Sequence, residues 1–286
     1  AAKVLGVSES SMKRWCDAGQ LQSMRTSGGH RRISISNLLD FAKGRGYELV
    51  EPDLVNLPPL TKLDGGPDLR TSVERLVDLL SQGDEKAVRS LVFSTWMTGK
   101  SLAAMFDSLI APAFSGLGHQ WESGELQVFE ERRACLIMER AFADLRRLIG
   151  GVKSTAPLAA GCTLEGDPYS LSTSMCELTL RELGWQAENL GSWEPVDTIV
   201  AAIGKLKPRL FWVSVNADFE KSFLVEACSK LFEATTLNDG SLVLGGRALT
   251  KPQTREMLDF SVYCESMWEF TKLAKKLHPL TNSEAG

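Results

Sequence analysis

The chain has 286 residues, 43% of them hydrophobic and 24% charged, with a formal charge of −4. That length holds two or three domains, and the composition excludes a chain that is disordered along most of its length. No apolar run reaches the eighteen residues of a membrane span, and the first residues lack an export-signal layout, so the reading is cytoplasmic with no membrane partner. Ala1 opens in mid-pattern without an initiator Met, which predicts a natural start further upstream. The six cysteines form no Cys-x-x-Cys and sit in mostly apolar surroundings, as reduced core residues do, so no metal site is expected. Residues 1–50 carry eight Lys/Arg against four acids, which makes that segment +4 and the remainder −8. A basic module on an acidic body points to an anionic partner for the N-terminus alone, although a solvated charged face gives the same count.

Residues 1–7 read as the end of a helix stopped at Gly6. Ser8, Ser10 and Ser11 offer caps for a second helix over 11–18, with Lys13 and Arg14 on it and Met12, Trp15 and Cys16 as its apolar side. Two short helices with a tight turn make a helix-turn-helix. Gly28-Gly29 between β-prone flanks predicts a hairpin turn surrounded by Arg25, His30, Arg31 and Arg32, and residues 36–42 start another capped helix. The stretch from Gly6 through Arg14-Trp15, followed by Thr26-Ser27-Gly28-Gly29-His30-Arg31-Arg32-Ile33, resembles the winged-helix domain of MerR-type and excisionase-like regulators. The resemblance implies binding to double-stranded DNA through Ser11, Lys13, Arg14, Arg25, Thr26, His30, Arg31 and Arg32, with the second helix in the major groove and the wing on the flanking backbone. His30 serves equally well as a turn-stabilising hydrogen-bonding group.

The head therefore spans 1–47. Residues 48–69 are rich in Pro and Gly, which predicts a helix-free, flexible tether. Residues 70–152 have helical periodicity in four stretches, the third (102–114) interrupted by Pro112 and the fourth running over about 129–149, which predicts a four-helix bundle. Within it, Trp121 is followed after nine residues by Glu131-Arg132. This resembles the helical cap of cobalamin-binding regulators and methyltransferases, where Trp, nine residues, then Glu-His line the upper corrin face. Here Arg132 replaces that His, and Glu122 stands where the light-sensing members carry a cobalt-ligating His.

Residues 153–286 alternate strands (158–163, 185–190, 210–215, 241–246) with helices (171–183, 198–206, 221–232, 266–277), with a polar loop over 165–172. That order predicts an open parallel sheet of the Rossmann-like, flavodoxin-like kind, whose ligands lie beyond the carboxyl ends of the strands. Asp167-Pro168-Tyr169-Ser170-Leu171-Ser172, then Ser214, then Gly245-Gly246, resemble the Asp-x-His-x-x-Gly loop, tail-contacting Ser and paired glycines of cobalamin-binding domains. Over nearly the whole chain the sequence resembles the light- and cobalamin-dependent MerR-type transcriptional repressors, multidomain proteins of α and α/β modules.

The departures bear on the chemistry. Tyr169 occupies the place of the lower cobalt-binding His, and a phenol of pKa about 10 substitutes poorly for imidazole. Ser172 adds bulk at the loop Gly position, where the nucleotide tail passes. His-ligated cobalamin is therefore disfavoured, and two fates of the pocket stay open. One is collapse, with the domain serving only association. The other is a changed ligand, a different tetrapyrrole or a cobalamin without a protein axial ligand, touching Trp121, Glu131, Arg132, Asp167, Tyr169, Ser170, Ser214, Gly245 and Gly246. Arg132 would pair with Glu131 in an empty site or with a ligand carboxylate in an occupied one. The expected function is a non-enzymatic DNA-binding regulator that self-associates as a dimer or tetramer and takes a protein anti-repressor as a further partner. A corrinoid carrier or methyltransferase subunit, and a ligand-free interaction protein, are the competing readings.

Overall fold

A computed structural model describes residues 1–60 and 69–278. The chain divides into two units, Ala1–Gly150 and Gly151–Gly286, and each is considered by itself.

In the first unit, residues 2–6 form a single turn rather than the end of an assigned helix, and Gly6 closes it at a φ of +61°. Helix α1 (Glu9–Asp17) begins at Ser8, whose hydroxyl accepts the Ser11 amide at 3.1 Å. Strands β1 (Met24–Arg25) and β2 (Arg31–Arg32) pair antiparallel across the glycine turn. Helix α2 (Ile35–Arg45) is capped by Ser34 and ends on left-handed Gly46. Leu21, Leu38, Leu39, Ala42, Val4 and Leu5 are its buried core, with the Trp15 and Phe41 rings 4.9 Å apart.

The head-side part of the expected tether is not free. Pro52–Val55 makes a 3-10 turn, Leu49, Pro52 and Leu57 are buried, and the Val50 amide donates to the Val4 carbonyl at 2.7 Å. The Ser90 hydroxyl donates to the Pro59 carbonyl, so this strand of chain lies against the next layer. Apolar side chains among the prolines supply the docking that a reading by composition overlooks. The rest of the stretch, 61–68, lies outside the described residues.

That layer contains α3 (Leu69–Gln82), α4 (Glu85–Met97), α5 (Leu102–Met105), α6 (Ala111–Glu122) and α7 (Val128–Leu148). Helix α3 packs on α4, α6 and α7, and α4 packs on α7. Pro112 does not end the third helix. Phe106–Ile110 forms a π-helical turn, in which the Ala111 amide reaches back to Phe106, and α6 continues past the proline to Glu122. The widened turn relieves the clash that a proline ring makes in a regular helix. The Phe106 and Phe142 rings meet edge-on at 5.3 Å in the core.

The second unit is a five-stranded parallel sheet. In chain order its elements are β3 (Leu158–Cys162), α8 (Ser170–Glu182), β4 (Gln186–Asn189), α9 (Val196–Leu206), β5 (Leu210–Ser214), α10 (Lys221–Thr236), β6 (Ser241–Gly245), α11 (Pro252–Arg255), β7 (Val262–Tyr263) and α12 (Met267–Leu277). The spatial order is β4-β3-β5-β6-β7, with all neighbours parallel. The order reverses between β3 and β5, which makes their carboxyl ends the switch point where ligands of such sheets bind. Two apolar clusters cover the faces, one containing Phe211, Val213, Ile203 and Leu231, the other Trp212, Trp185, Leu180 and Phe270. The two-residue β7 and the short α11 carry too little pattern to be read from sequence. Helix α8 starts at Ser170, so Ser172 lies in its first turn and not in a loop.

Gly161 lies where a Cβ would overlap the Trp212 indole and carbonyl, whereas Gly204, in α9, has nothing within 4 Å of its added Cβ. Gly161→Ala is therefore expected to cost about 3 kcal/mol or more. Gly204→Ala is expected to stabilise by about 0.5–1 kcal/mol. Denaturant titration of both variants checks the opposite signs.

Candidate functional site

Two surfaces carry the residues singled out by sequence. The first is built on α1 and the hairpin. Lys13 and Arg14 project from α1 into solvent, while Met12 is buried beneath them. The Ser11 hydroxyl sits 3.0 Å from that of Ser8, inside the capping cluster. Thr26 closes the hairpin turn: its amide donates to the His30 carbonyl at 2.8 Å, and its hydroxyl accepts the His30 amide at 3.2 Å. Gly29, at a φ of +77°, lets the chain reverse there. Arg25, His30 and Arg32 are exposed. Arg31 differs, because its guanidinium is paired with Asp17 at the end of α1 and fixes the hairpin against that helix. Asp17 also lies 3.9 Å from Arg25. Sequence reading missed Asp17, whose meaning depends on the fold bringing the hairpin back to α1. Lys13, Arg14 and Arg32 make no ion pair among the described residues.

The helical layer places Trp121 at the end of α6, 48% exposed. Glu131 and Arg132 are in the first turns of α7, which opens with a capping box of Gln127 and Glu130. The Glu131 carboxylate accepts from the Cys135 thiol at 3.4 Å, one turn on, and Arg132 is exposed. The anticipated pairing of Arg132 with Glu131 is not the contact found; the i,i+4 geometry favours Cys135. Burial and the neighbouring Glu131 charge push the Cys135 thiol up to about 12.

The second surface is the carboxyl end of the sheet. Asp167 is fully buried. One of its oxygens accepts the Tyr169 amide at 3.0 Å, and the other accepts the amides of Asn216 at 2.6 Å and Ala217 at 3.3 Å. Its carbonyl takes the Thr163 hydroxyl at 2.7 Å. Tyr169 is 39% exposed, with the Arg247 guanidinium 4.9 Å from its ring centre. Ser170 opens α8. Ser214 is buried at the end of β5. Gly246 has a φ of +108°, and a Cβ there would come within 2.7 Å of the Val215 nitrogen. A Cβ on Gly245 would sit 3.1 Å from the Cys264 carbonyl oxygen. The paired glycines thus answer a close approach of backbones within the fold itself.

Asp167, Tyr169, Ser170, Ser214, Gly245 and Gly246 all belong to the second unit, whereas Trp121, Glu131 and Arg132 belong to the first. Sequence reading missed Asn216 and Arg247. Both are polar residues just past strand ends, a placement that flags them only once the strand order is known. The residues at this end do not fit a His-ligated cobalamin: Tyr169 offers a phenol held under a guanidinium, and the Asp167 carboxylate already accepts three amides.

Residues 1–46 match the helix-turn-helix domain family, and residues 72–146 match a B12 binding domain. That pairing fits the architecture of the cobalamin-dependent regulators the sequence resembles. No curated protein matches the chain significantly. Among solved structures, the monomethylamine corrinoid protein of Methanosarcina barkeri is similar, with a TM-score of 0.61 and 17% identity, over 73% of this chain and 99% of that one. This likeness is one of fold. A cobalamin-binding protein of Desulfitobacterium hafniense DCB-2 gives 0.40 and 19% over 74% and 98% of the two chains. The methanol:cobalamin methyltransferase complex of Methanosarcina barkeri gives 0.38 and 16% over 83% and 96%. No helix among the described residues is long and apolar enough to cross a membrane.

The Glu131–Cys135 contact makes a measurable claim. At pH 8 a thiol of pKa about 12 is alkylated at least tenfold more slowly than a free one near 8.5, its small thiolate fraction outweighing the greater nucleophilicity of that thiolate. Glu131→Gln removes both the repelling charge and the carboxylate acceptor, lowers the thiol pKa and speeds Cys135 alkylation several-fold. Residue-resolved iodoacetamide labelling of native protein reads both rates.

Proposed function

We propose that the protein is a sequence-specific, DNA-binding transcriptional repressor of the MerR type, cytoplasmic and non-enzymatic, acting as a dimer or tetramer. Residues 1–47 are its winged-helix head, and 48–69 join it to the body. Residues 70–152 form a four-helix bundle cap, and 153–286 a sensor-type α/β domain. Its partners are double-stranded DNA, a second copy of itself and a protein anti-repressor. The observation that carries this reading is the exposure of Lys13 and Arg14 on α1 beside a hairpin bearing exposed Arg25, His30 and Arg32, in a segment of charge +4 on an acidic chain. A helix of that kind enters the major groove, where Lys13 and Arg14 meet base edges, while the hairpin arginines neutralise phosphates.

A corrinoid carrier or methyltransferase subunit is the second reading, favoured by the fold likeness to the monomethylamine corrinoid protein. Tyr169 in the lower-ligand position and a basic helix-turn-helix head oppose it. On this proposal control runs through a protein partner or a different tetrapyrrole and not through light and His-ligated cobalamin.

Two measurements test the proposal. In mobility-shift titrations, Arg32→Ala lowers the slope of log affinity against log salt by about one and weakens all sequences alike, whereas Lys13→Ala or Arg14→Ala changes the ranking of operator variants. Arg31→Ala acts differently, through loss of the Asp17 tie that positions the hairpin. Undiminished binding by the Arg25→Ala, Arg32→Ala double variant rejects the hairpin as a phosphate clamp. In light scattering, the mass is expected to stay the same with and without adenosylcobalamin, in darkness and in light; a light-reversible change of mass counts against the lost switch.

A further inference from the structure

The crevice between the carboxyl ends of β3 and β5 is the place where a nucleotide-tailed cofactor enters a sheet of this topology. In this chain three segments meet there on one residue, Asn216. Its backbone amide donates to the Asp167 carboxylate at 2.6 Å, its side-chain amide donates to the Ser172 hydroxyl at 2.8 Å, and its carbonyl accepts from Arg247 Nε at 2.9 Å. Those partners come from the loop before α8, the first turn of α8 and the segment after β6. Asn216 therefore ties together the segments that a tail would have to part.

A second closure lies deeper, on the face of the sheet that packs against α8 and α12. Trp212 is 1% exposed, and its indole lies across Gly161 of the neighbouring strand, where any side chain would collide with it. The indole N–H donates to the Thr173 hydroxyl at 2.8 Å, and that hydroxyl lies 3.2 Å from the Asn189 side-chain oxygen, which also takes the Gly191 amide at 3.0 Å. The ring is thus pinned at its polar atom and buried in the apolar cluster on that face.

We infer that the carboxyl-end crevice of this unit is filled and stapled by the chain's own side chains, with Asn216–Ser172 as the bolt and Trp212 as the plug, so that it takes no corrinoid carrying a nucleotide tail. This goes beyond the missing imidazole. A lost axial ligand leaves a tail pocket that still binds cobalamin without protein ligation; a stapled crevice excludes that mode too. It is also independent of the DNA-binding reading, since every contact in it lies within residues 158–247. Opening the crevice would part the buried Asp167 carboxylate from the Asn216 and Ala217 amides, a loss that a tail lacking amide donors to it does not return.

The experiment uses the full chain and two readouts. Absorbance titration with hydroxocobalamin and with adenosylcobalamin is expected to show no binding up to 100-fold excess, for wild type and equally for Tyr169→His, because restoring a ligand atom leaves the bolt in place. Saturable binding by either protein overturns the inference. Hydrogen exchange reads the closure without any ligand. The Tyr169, Asn216 and Ala217 amides are expected to exchange at least 100-fold more slowly than unstructured loop amides, and exchange at the free-loop rate overturns the inference. In Ser172→Gly, Asn216→Gly the Tyr169 amide is expected to speed up at least tenfold, while the Val243 amide of the central sheet keeps its wild-type rate and reports that the fold is intact. An unchanged Tyr169 rate in that variant, or one that rises only together with Val243, removes Asn216–Ser172 from the role of bolt.

Discussion

A carboxylate with no exposed surface sits in the loop between β3 and α8, and the arrangement of the second unit's ligand end follows from how that charge is satisfied. Asp167 cannot be left unpaired inside the protein, since an isolated buried charge costs far more than one hydrogen bond returns. It is solved here by amides from two loops, Tyr169 on its own side and Asn216 with Ala217 across the crevice. Bonds between a charge and backbone amides are among the stronger ones a fold makes. They fix the loop after β5 against the loop before α8. Once Asn216 is placed, its side chain reaches Ser172 and its carbonyl faces Arg247, whose guanidinium then lies over Tyr169.

The first unit is governed by a comparable economy of few contacts. Asp17 at the end of α1 accepts Arg31 from the hairpin, so helix and hairpin keep one relation although the hairpin has only two residues per strand. An isolated hairpin of that size is not stable alone. Behind α1, the Trp15, Phe41 and Tyr47 rings bring α2 and the following chain together at centroid distances of 4.9–5.8 Å. From α2, the Lys43 ammonium lies 3.7 Å from the centre of the Trp96 ring, in α4. A cation over a largely buried indole contributes on the order of 1–2 kcal/mol. Together with the Ser90–Pro59 bond, it makes the head continuous with the helical layer.

How much of this was legible in the sequence depends on the range of the interaction involved. Strands such as 210–214 and helices such as α7 announce themselves through period and length, and the alternation of the two gave the parallel sheet without further help. The interruption at Pro112 is legible, whereas the π-helical turn that lets the helix continue to Glu122 has no local pattern to mark it. The segment 48–60 looked like a tether because composition counts its prolines and not the burial of Leu49 and Leu57. Ser172 was placed in a loop, although its hydroxyl belongs to the first turn of α8 and meets a residue 44 positions away. Asn216 and Arg247 carry no signature at all, since their importance arises only where three segments converge.

The residues resembling a cofactor motif divide by what keeps them in place. Asp167 and Gly246 are demanded by the fold: one satisfies amides, and the other admits the Val215 backbone at a φ closed to other residues. Such positions survive whether or not a ligand is bound. Tyr169 and Ser172 are under no comparable demand, and their side chains find partners inside the chain, Arg247 and Asn216. A fold shared with a corrinoid protein does not by itself fix what the crevice holds, because packing residues preserve the fold while polar residues at the rim set the chemistry. The motif's glycines and aspartate report the architecture; the side chains between them report the chemistry.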